Sequence, residues 1–209
     1  MAILKLALPF LCVITDEGLC PVTTARKALE GGASMIQLRN KTASCSQLLS
    51  WGCEIRELCR MHGALFIMND RIDVALASSA DGVHLGQLDI PVKAARKMLG
   101  GKLIIGVSAS SPAEALQAQQ DGADYIGFGH IFPTSSKEKS YAPVGTEMLE
   151  KTASILSIPL IAIGGIDAGN ASSVISAGAS GIAVISAVTR ADSPAEAANN
   201  LVRILKYRE

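Results

Sequence analysis

Aromatic residues are scarce: one Trp, three Tyr and four Phe in 209 residues. So few rings leave little for stacking on unpaired bases, which speaks against nucleic acid as a partner. Net charge is missing too. Nineteen Lys plus Arg balance nineteen Asp plus Glu, and no basic run occurs. An anionic membrane surface is therefore a poor partner as well. No segment reaches the roughly 20 apolar residues of a membrane span. The apolar N-terminus MAILKLALPFLCVIT is broken by Lys5 and Pro9, and no small-residue cleavage pattern follows it. It reads as a lead-in to a first strand. There is no C-x-x-C, and the five cysteines (Cys12, Cys20, Cys45, Cys53 and Cys59) all lie in the first third of the chain. They cannot frame the whole domain, so a reduced, cytoplasmic protein is expected. Cys53 and Cys59 fall in a helical stretch and are expected to fill core space.

What the chain does have is apolar residues, 49% of the total, enough for a large core. They come in short, Ile- and Val-rich runs: Phe10–Thr15, Ser34–Arg39, Leu65–Asn69, Gly82–Leu85, Leu103–Ser108, Tyr125–Gly129, Leu160–Gly164 and Gly181–Ser186. Nearly continuous apolar character is the mark of strands buried on both faces. Helical patterns follow at Thr23–Glu30, Cys45–His62, Ile72–Ser78, Val92–Leu99, Ala113–Gln120, Thr146–Leu156, Ala171–Ala177 and Ala195–Tyr207. Ser111-Pro112 and Ser193-Pro194 mark helix starts; glycines such as Gly63, Gly122 and Gly178 mark ends. Eight βα units with no linker between them predict α/β architecture, a single-domain (β/α)8 TIM barrel over residues 1–209.

In such a barrel the chemistry sits where the strands end. The stretch Asn69–Asp89 carries two of these ends, Asn69-Asp70 and Gly86-Gln87-Leu88-Asp89. Asp70 or Asp89 alone could be a helix cap. Carboxylates ending two consecutive strands instead suggest oxygen ligands for a hard cation, most simply Mg²⁺. The other ends add Thr15 and Asp16, then Gln37, Arg39 and Lys41, then Ser108, His130, Gly164-Gly165 and Ser186. Arg39 and Lys41 suit a phosphate, as a fork and a point charge. Gly164-Gly165 with Ile185-Ser186 suits backbone donors to a second phosphate; a tight turn that needs glycine is the plainer account of the pair. The long loop Ile131–Gly145 brings Thr134, Ser136 and Lys137, whose groups can close on phosphate oxygens. His62 reads as a surface residue at a helix end. The direction of His84 cannot be fixed by pattern, and a packed or supporting place is expected for it. Metal and cations around a diphosphate would turn it into a leaving group without a protein nucleophile.

The segments QLRNK (Gln37–Lys41), ND (Asn69-Asp70), HLGQLD (His84–Asp89), GVSA (Gly106–Ala109), PTSSK (Pro133–Lys137), IGGI (Ile163–Ile166) and VIS (Val184–Ser186) resemble the thiamine-phosphate synthase family, in its order and over nearly the whole chain. That resemblance implies a transferase of thiamine biosynthesis joining hydroxymethylpyrimidine diphosphate to thiazole phosphate, or to its carboxylate form, with release of pyrophosphate. It implies dissociative chemistry: diphosphate leaves first and the thiazole nitrogen captures a pyrimidine cation. It places Mg²⁺ on Asp70 and Asp89. Gln37, Arg39, Lys41, Asn69, Ser108 and Lys137 would surround the pyrimidine diphosphate, with Arg39, Ser108 and Lys137 acting in catalysis. Thr134, Ser136, Gly165, Ile185 and Ser186 would hold the thiazole phosphate. Small molecules are the implied partners, and a homo-oligomer stays open. Asn40 stands where the family usually has Glu, and Ser136 where it usually has Thr. His130 resembles instead a related barrel, the thiazole tautomerase, which uses a His there for proton transfer but usually lacks both carboxylates. That isomerase is the alternative activity; a non-catalytic phosphate-binding barrel is a further one.

Overall fold

The protein is described here by a computed structural model for residues 9–134 and 142–206. Among these residues eight parallel strands close into one barrel in chain order, with the first strand paired to the eighth. The strands are β1 (Phe10–Ile14), β2 (Met35–Leu38), β3 (Leu65–Asn69), β4 (Gly82–Leu85), β5 (Ile104–Ala109), β6 (Tyr125–Gly129), β7 (Leu160–Ile163) and β8 (Gly181–Val184). The helices are α1 (Pro21–Glu30), α2 (Cys45–His62), α3 (Ile72–Ala77), α4 (Val92–Leu99), α5 (Pro112–Gln120), α6 (Gly145–Ile155), α7 (Ala171–Ser176), α8 (Ser186–Thr189) and α9 (Pro194–Lys206).

Each strand is apolar on both faces because each face meets a different core. Phe10, Cys12, Ile14, Met35, Ile67, Ile104, Tyr125, Ile161 and Ala183 point inward and pack together inside the barrel. Alternate residues, among them Leu11, Ile36, Phe66, Val83, Ile105, Ile126, Ala162 and Ile182, point outward under the helices. Alternation along a strand then sends Gln37, Asn69, His84 and Ser108 inward at the C-terminal end of β2, β3, β4 and β5. Two inward positions are vacated for larger neighbours. A Cβ on Gly106 would lie 2.0 Å from Cζ of Tyr125, and one on Gly127 would lie 3.0 Å from Cε1 of His84.

The N-terminal end is held by a recurring clamp. Asp81, just before β4, accepts from the Phe66 backbone N–H of β3 at 2.8 Å and from Arg56 of α2 at 3.2 Å. Asp124, just before β6, accepts from the Ile105 N–H of β5 at 2.8 Å and from Arg96 of α4. Ser180 takes the same place before β8, receiving the Leu160 N–H of β7 at 3.3 Å. Each clamp ties a strand to the residue that opens the next strand, and in two of them an arginine neutralises the carboxylate. A cavity of about 430 Å³ opens at this end, lined by Arg56, Asp81, Lys102 and Asp124 among others. Its carboxylates already serve the clamps, so it belongs to the scaffold.

Several sequence expectations need correction. Helix α1 begins at Pro21, two residues before the expected Thr23, because proline fits the first helical turn where no N–H is required. Strand β8 ends at Val184, and Ile185 opens the one-turn helix α8, which the pattern did not indicate. Cys59 is buried as expected, but Cys53 is exposed, on the outer side of α2. Neither Asp70 nor Asp89 caps a helix: Arg71 and Pro91 occupy those positions without side-chain caps. Ser111 does cap α5, accepting from Glu114 N–H at 3.2 Å, and Gly63 ends α2 in the left-handed conformation. Among the described residues no helix is long and apolar enough to cross a membrane.

Candidate active site

The barrel order places β2, β3, β4 and β5 side by side, so the residues at their C-terminal ends share one half of the mouth. The end of β2 is anchored first. Thr15, buried after β1, accepts from the Arg39 N–H at 2.9 Å and donates its hydroxyl to the Arg39 carbonyl at 2.9 Å. The backbone of Arg39 is thus fixed before its side chain does anything. That side chain forms a 2.7 Å ion pair with Glu17, a partner with no signal in the sequence pattern. Asn40 folds the next loop: its Oδ1 accepts from Thr42 N–H at 3.0 Å and Ala43 N–H at 2.8 Å. This Asx turn carries Lys41 back over the mouth, where its Nζ lies 3.7 Å from Oδ2 of Asp70.

Asp70 follows β3 with φ at 61°, a left-handed conformation that is uncommon away from glycine and is tolerated best by Asn and Asp. Its N–H donates to the His84 carbonyl of β4 at 2.9 Å. Asp89 is drawn inward from the loop after β4 by the Gly86 N–H, at 2.7 Å from Oδ2. The two carboxyl groups meet. Burial, then the hydrogen bond and charge of Asp89, push the Asp70 carboxyl above its ordinary range; Lys41 and Arg39 pull the other way and do not win. Two acidic oxygen donors this close together suit a hard divalent cation.

Ser108 ends β5 in the same half of the mouth. Its carbonyl accepts from Gln87 Nε2 at 2.6 Å, and its hydroxyl meets His84 Nε2 at 2.9 Å. His84 therefore points into the barrel, a direction that the strand's apolar pattern does not fix. Gln37 is only 5% exposed, and among the described residues its side-chain amide has no hydrogen-bond partner. Asn69 sits in register with His84.

The other half of the mouth is built by β6, β7 and β8. His130 is buried directly after β6. Gly164 and Gly165 both have positive φ, at 97° and 66°. A Cβ on Gly164 would come 2.3 Å from Cβ of His130, and one on Gly165 would come 2.5 Å from the Pro133 carbonyl. The turn and its contact with the loop after β6 thus require glycine at both positions. Ile185 and Ser186 follow β8, with Ser186 exposed. Asp16, after β1, receives Arg190 Nε at 2.8 Å, which ties the loop after β1 to the residue after α8, 174 positions away in sequence. Thr134 is described; Ser136 and Lys137 lie outside the described residues.

A closed (β/α)8 barrel with a carboxylate pair, cations and inward amides at its C-terminal mouth has the build of a barrel enzyme. The sequence narrows this. The family model described as thiamine monophosphate synthase matches residues 11–188. The thiamine-phosphate synthase of Chlorobium limicola is 61% identical over 198 residues, covering 95% of this chain and 94% of that one. Its counterpart in Chlorobium phaeovibrioides is 65% identical over 195 residues, covering 93% of each. The solved thiamine phosphate pyrophosphorylase of Pyrococcus furiosus superposes with a TM-score of 0.88 at 45% identity, covering 94% of this chain and 95% of that one. The chain belongs to the thiamine monophosphate synthase family and is a transferase.

Proposed function

We propose that this transferase condenses hydroxymethylpyrimidine diphosphate with thiazole phosphate, giving thiamine phosphate and pyrophosphate. The observation that carries the reading is the Asp70–Asp89 pair, buried enough to raise the Asp70 carboxyl and faced by Lys41 at 3.7 Å. Acidic oxygens beside cations fit a metal-bound diphosphate better than either charge alone fits any other ligand. Asp70 and Asp89 would hold Mg²⁺, which when bound supplies positive charge to the departing diphosphate.

The chain's own groups do the rest. Lys41 offers its ammonium beside the carboxylates, and Arg39 offers a guanidinium fork once the diphosphate competes with Glu17. Gln37 and Asn69 present amides to the pyrimidine half. Ser108 offers a hydroxyl, and Lys137, assigned from its place in the PTSSK segment, adds a further cation. Concentrating cations and donors where negative charge grows favours loss of diphosphate first, the dissociative order. No nucleophile of the protein is needed. Thr134, Ser136, Gly165, Ile185 and Ser186 would seat the thiazole phosphate across the mouth, bringing its ring nitrogen to the pyrimidine carbon.

The test is direct: purified protein, both phosphorylated substrates and Mg²⁺, with thiamine phosphate read by mass. Formation of that product at a rate limited by enzyme concentration is expected. No product over hours at micromolar enzyme would sink the reading.

A further inference from the structure

Two buried side chains in the barrel interior, Tyr125 and His84, lead to the half-buried Ser108, and the chemistry above assigns neither of the first two a role. Tyr125 Oη lies 2.9 Å from His84 Nδ1, and His84 Nε2 lies 2.9 Å from Ser108 Oγ. The phenol and imidazole centroids are 5.5 Å apart. The chain has room because Gly106 and Gly127 occupy the inward positions beside the two rings.

Direction in this chain follows from what each group can donate. Tyr125 is 2% exposed, and among the described residues His84 Nδ1 is the hydrogen-bond partner of its hydroxyl. A buried O–H must donate, so it donates to Nδ1. Burial also pushes the phenol well above its ordinary range, so its proton stays in place. With Nδ1 accepting, the neutral imidazole carries its proton on Nε2 and donates it to Ser108 Oγ. The Ser108 oxygen is then occupied as an acceptor. Its own hydrogen is left to donate toward the mouth.

We propose that Tyr125 and His84 are positioning residues that set Ser108 as a hydrogen-bond donor to the diphosphate substrate. The proposal rests on the substrate reading above, which puts that substrate beside Ser108. No proton is transferred along the chain. Ser108 donates a hydrogen bond only, because passing its proton on would strip one from the imidazole and then from the buried phenol.

The chain holds only three histidines, so ¹⁵N-histidine NMR of the whole protein can read the His84 ring, assigned through His84→Asn. The expected spectrum has a protonated Nε2 and a bare Nδ1 at neutral pH. A proton on Nδ1, or on both nitrogens, would overturn the proposal. Tyr125→Phe keeps the ring and removes the donor. It should mix the two tautomers and lower kcat by about tenfold, the worth of one oriented hydrogen bond, with KM for thiazole phosphate unchanged. In a Ser108→Ala background the same change should cost nothing further. Additive losses, or wild-type kinetics in Tyr125→Phe, would overturn it. A wild type that makes no thiamine phosphate removes the diphosphate as the acceptor of Ser108. The nitrogen signals would then still show whether the chain of donors exists, which separates the two failures.

Discussion

Asp70 and Asp89 approach each other from the loops after neighbouring strands, and the hydrogen bond and charge of Asp89 help raise the Asp70 carboxyl. In the metal-free protein this is a destabilising arrangement. A carboxyl whose folded pKa exceeds its unfolded one costs stability once pH rises above the unfolded value, with the full cost reached above the folded value. Asp70→Asn should therefore raise the Tm of metal-free protein at pH 7 and leave it nearly unchanged near pH 3. Magnesium at about ten times its Kd should stabilise wild type by about 1.4 kcal/mol and the variant far less. Turnover should fall by on the order of 100-fold or more in Asp70→Asn and in Asp89→Asn, with the barrel intact by circular dichroism. Full activity in either variant at low Mg²⁺ would refute the two-carboxylate site.

Arg39 is held by Glu17 at 2.7 Å, with its backbone locked by Thr15. Arg39→Ala should weaken diphosphate binding by about 10- to 100-fold, the range for a charge-assisted hydrogen bond. Binding of thiazole phosphate should stay within about twofold, since losses at a remote site are small. Arg39→Lys should recover only part, having charge without the fork. Titration of each ligand by calorimetry checks this. Equal weakening of both ligands would place Arg39 elsewhere.

The Asp16–Arg190 pair predicts a pH dependence of opposite sign. The hydrogen bond from Arg190 is the leading cause that lowers the Asp16 carboxyl. A lowered carboxyl contributes stability at all pH values above its unfolded pKa, about 4, and loses it as pH falls through the folded value. Arg190→Gln should therefore be less stable than wild type at pH 7, and the gap should close by about pH 2. The gap is small, because Arg190 is largely exposed and water screens the pair. Urea unfolding at several pH values measures it. A gap that widened on acidification would contradict the assignment.

His130 separates synthase from tautomerase chemistry. It is buried after β6 and packed against Gly164, and histidine is well suited to proton transfer near neutral pH. Leaving-group departure does not need that shuttle, so His130→Ala should keep thiamine phosphate formation within about tenfold of wild type, the loss of one ordinary contact. An isomerisation assay on the thiazole carboxylate tautomer, run beside it, decides the matter. Isomerisation by wild type without thiamine phosphate formation, lost in His130→Ala, would replace the synthase reading with the isomerase one.

The eight strands, the longer helices between them and several residues at the mouth could be read from sequence because their signals are local. Runs such as Leu65–Asn69 are apolar throughout, glycines such as Gly63 stop helices, and consecutive strands of a barrel are neighbours. Asp70 and Asp89 could therefore be paired from their places in the chain. The same continuous burial hid the direction of His84: where both faces of a strand are apolar, alternation does not say which face looks inward. Only the closed sheet turned His84 toward Tyr125 and Ser108, 41 and 24 residues away. Charge pairing was equally out of reach. Arg39 could have met any nearby acid, and the structure chose Glu17; Arg190 meets Asp16 only because β8 returns to β1. Composition and periodicity determined that the chain makes a (β/α)8 barrel with polar residues at its strand ends. Tertiary packing decided which side chains pair with one another there, because hydrogen bonds and ion pairs form over about 3 Å in space and carry no trace in sequence spacing.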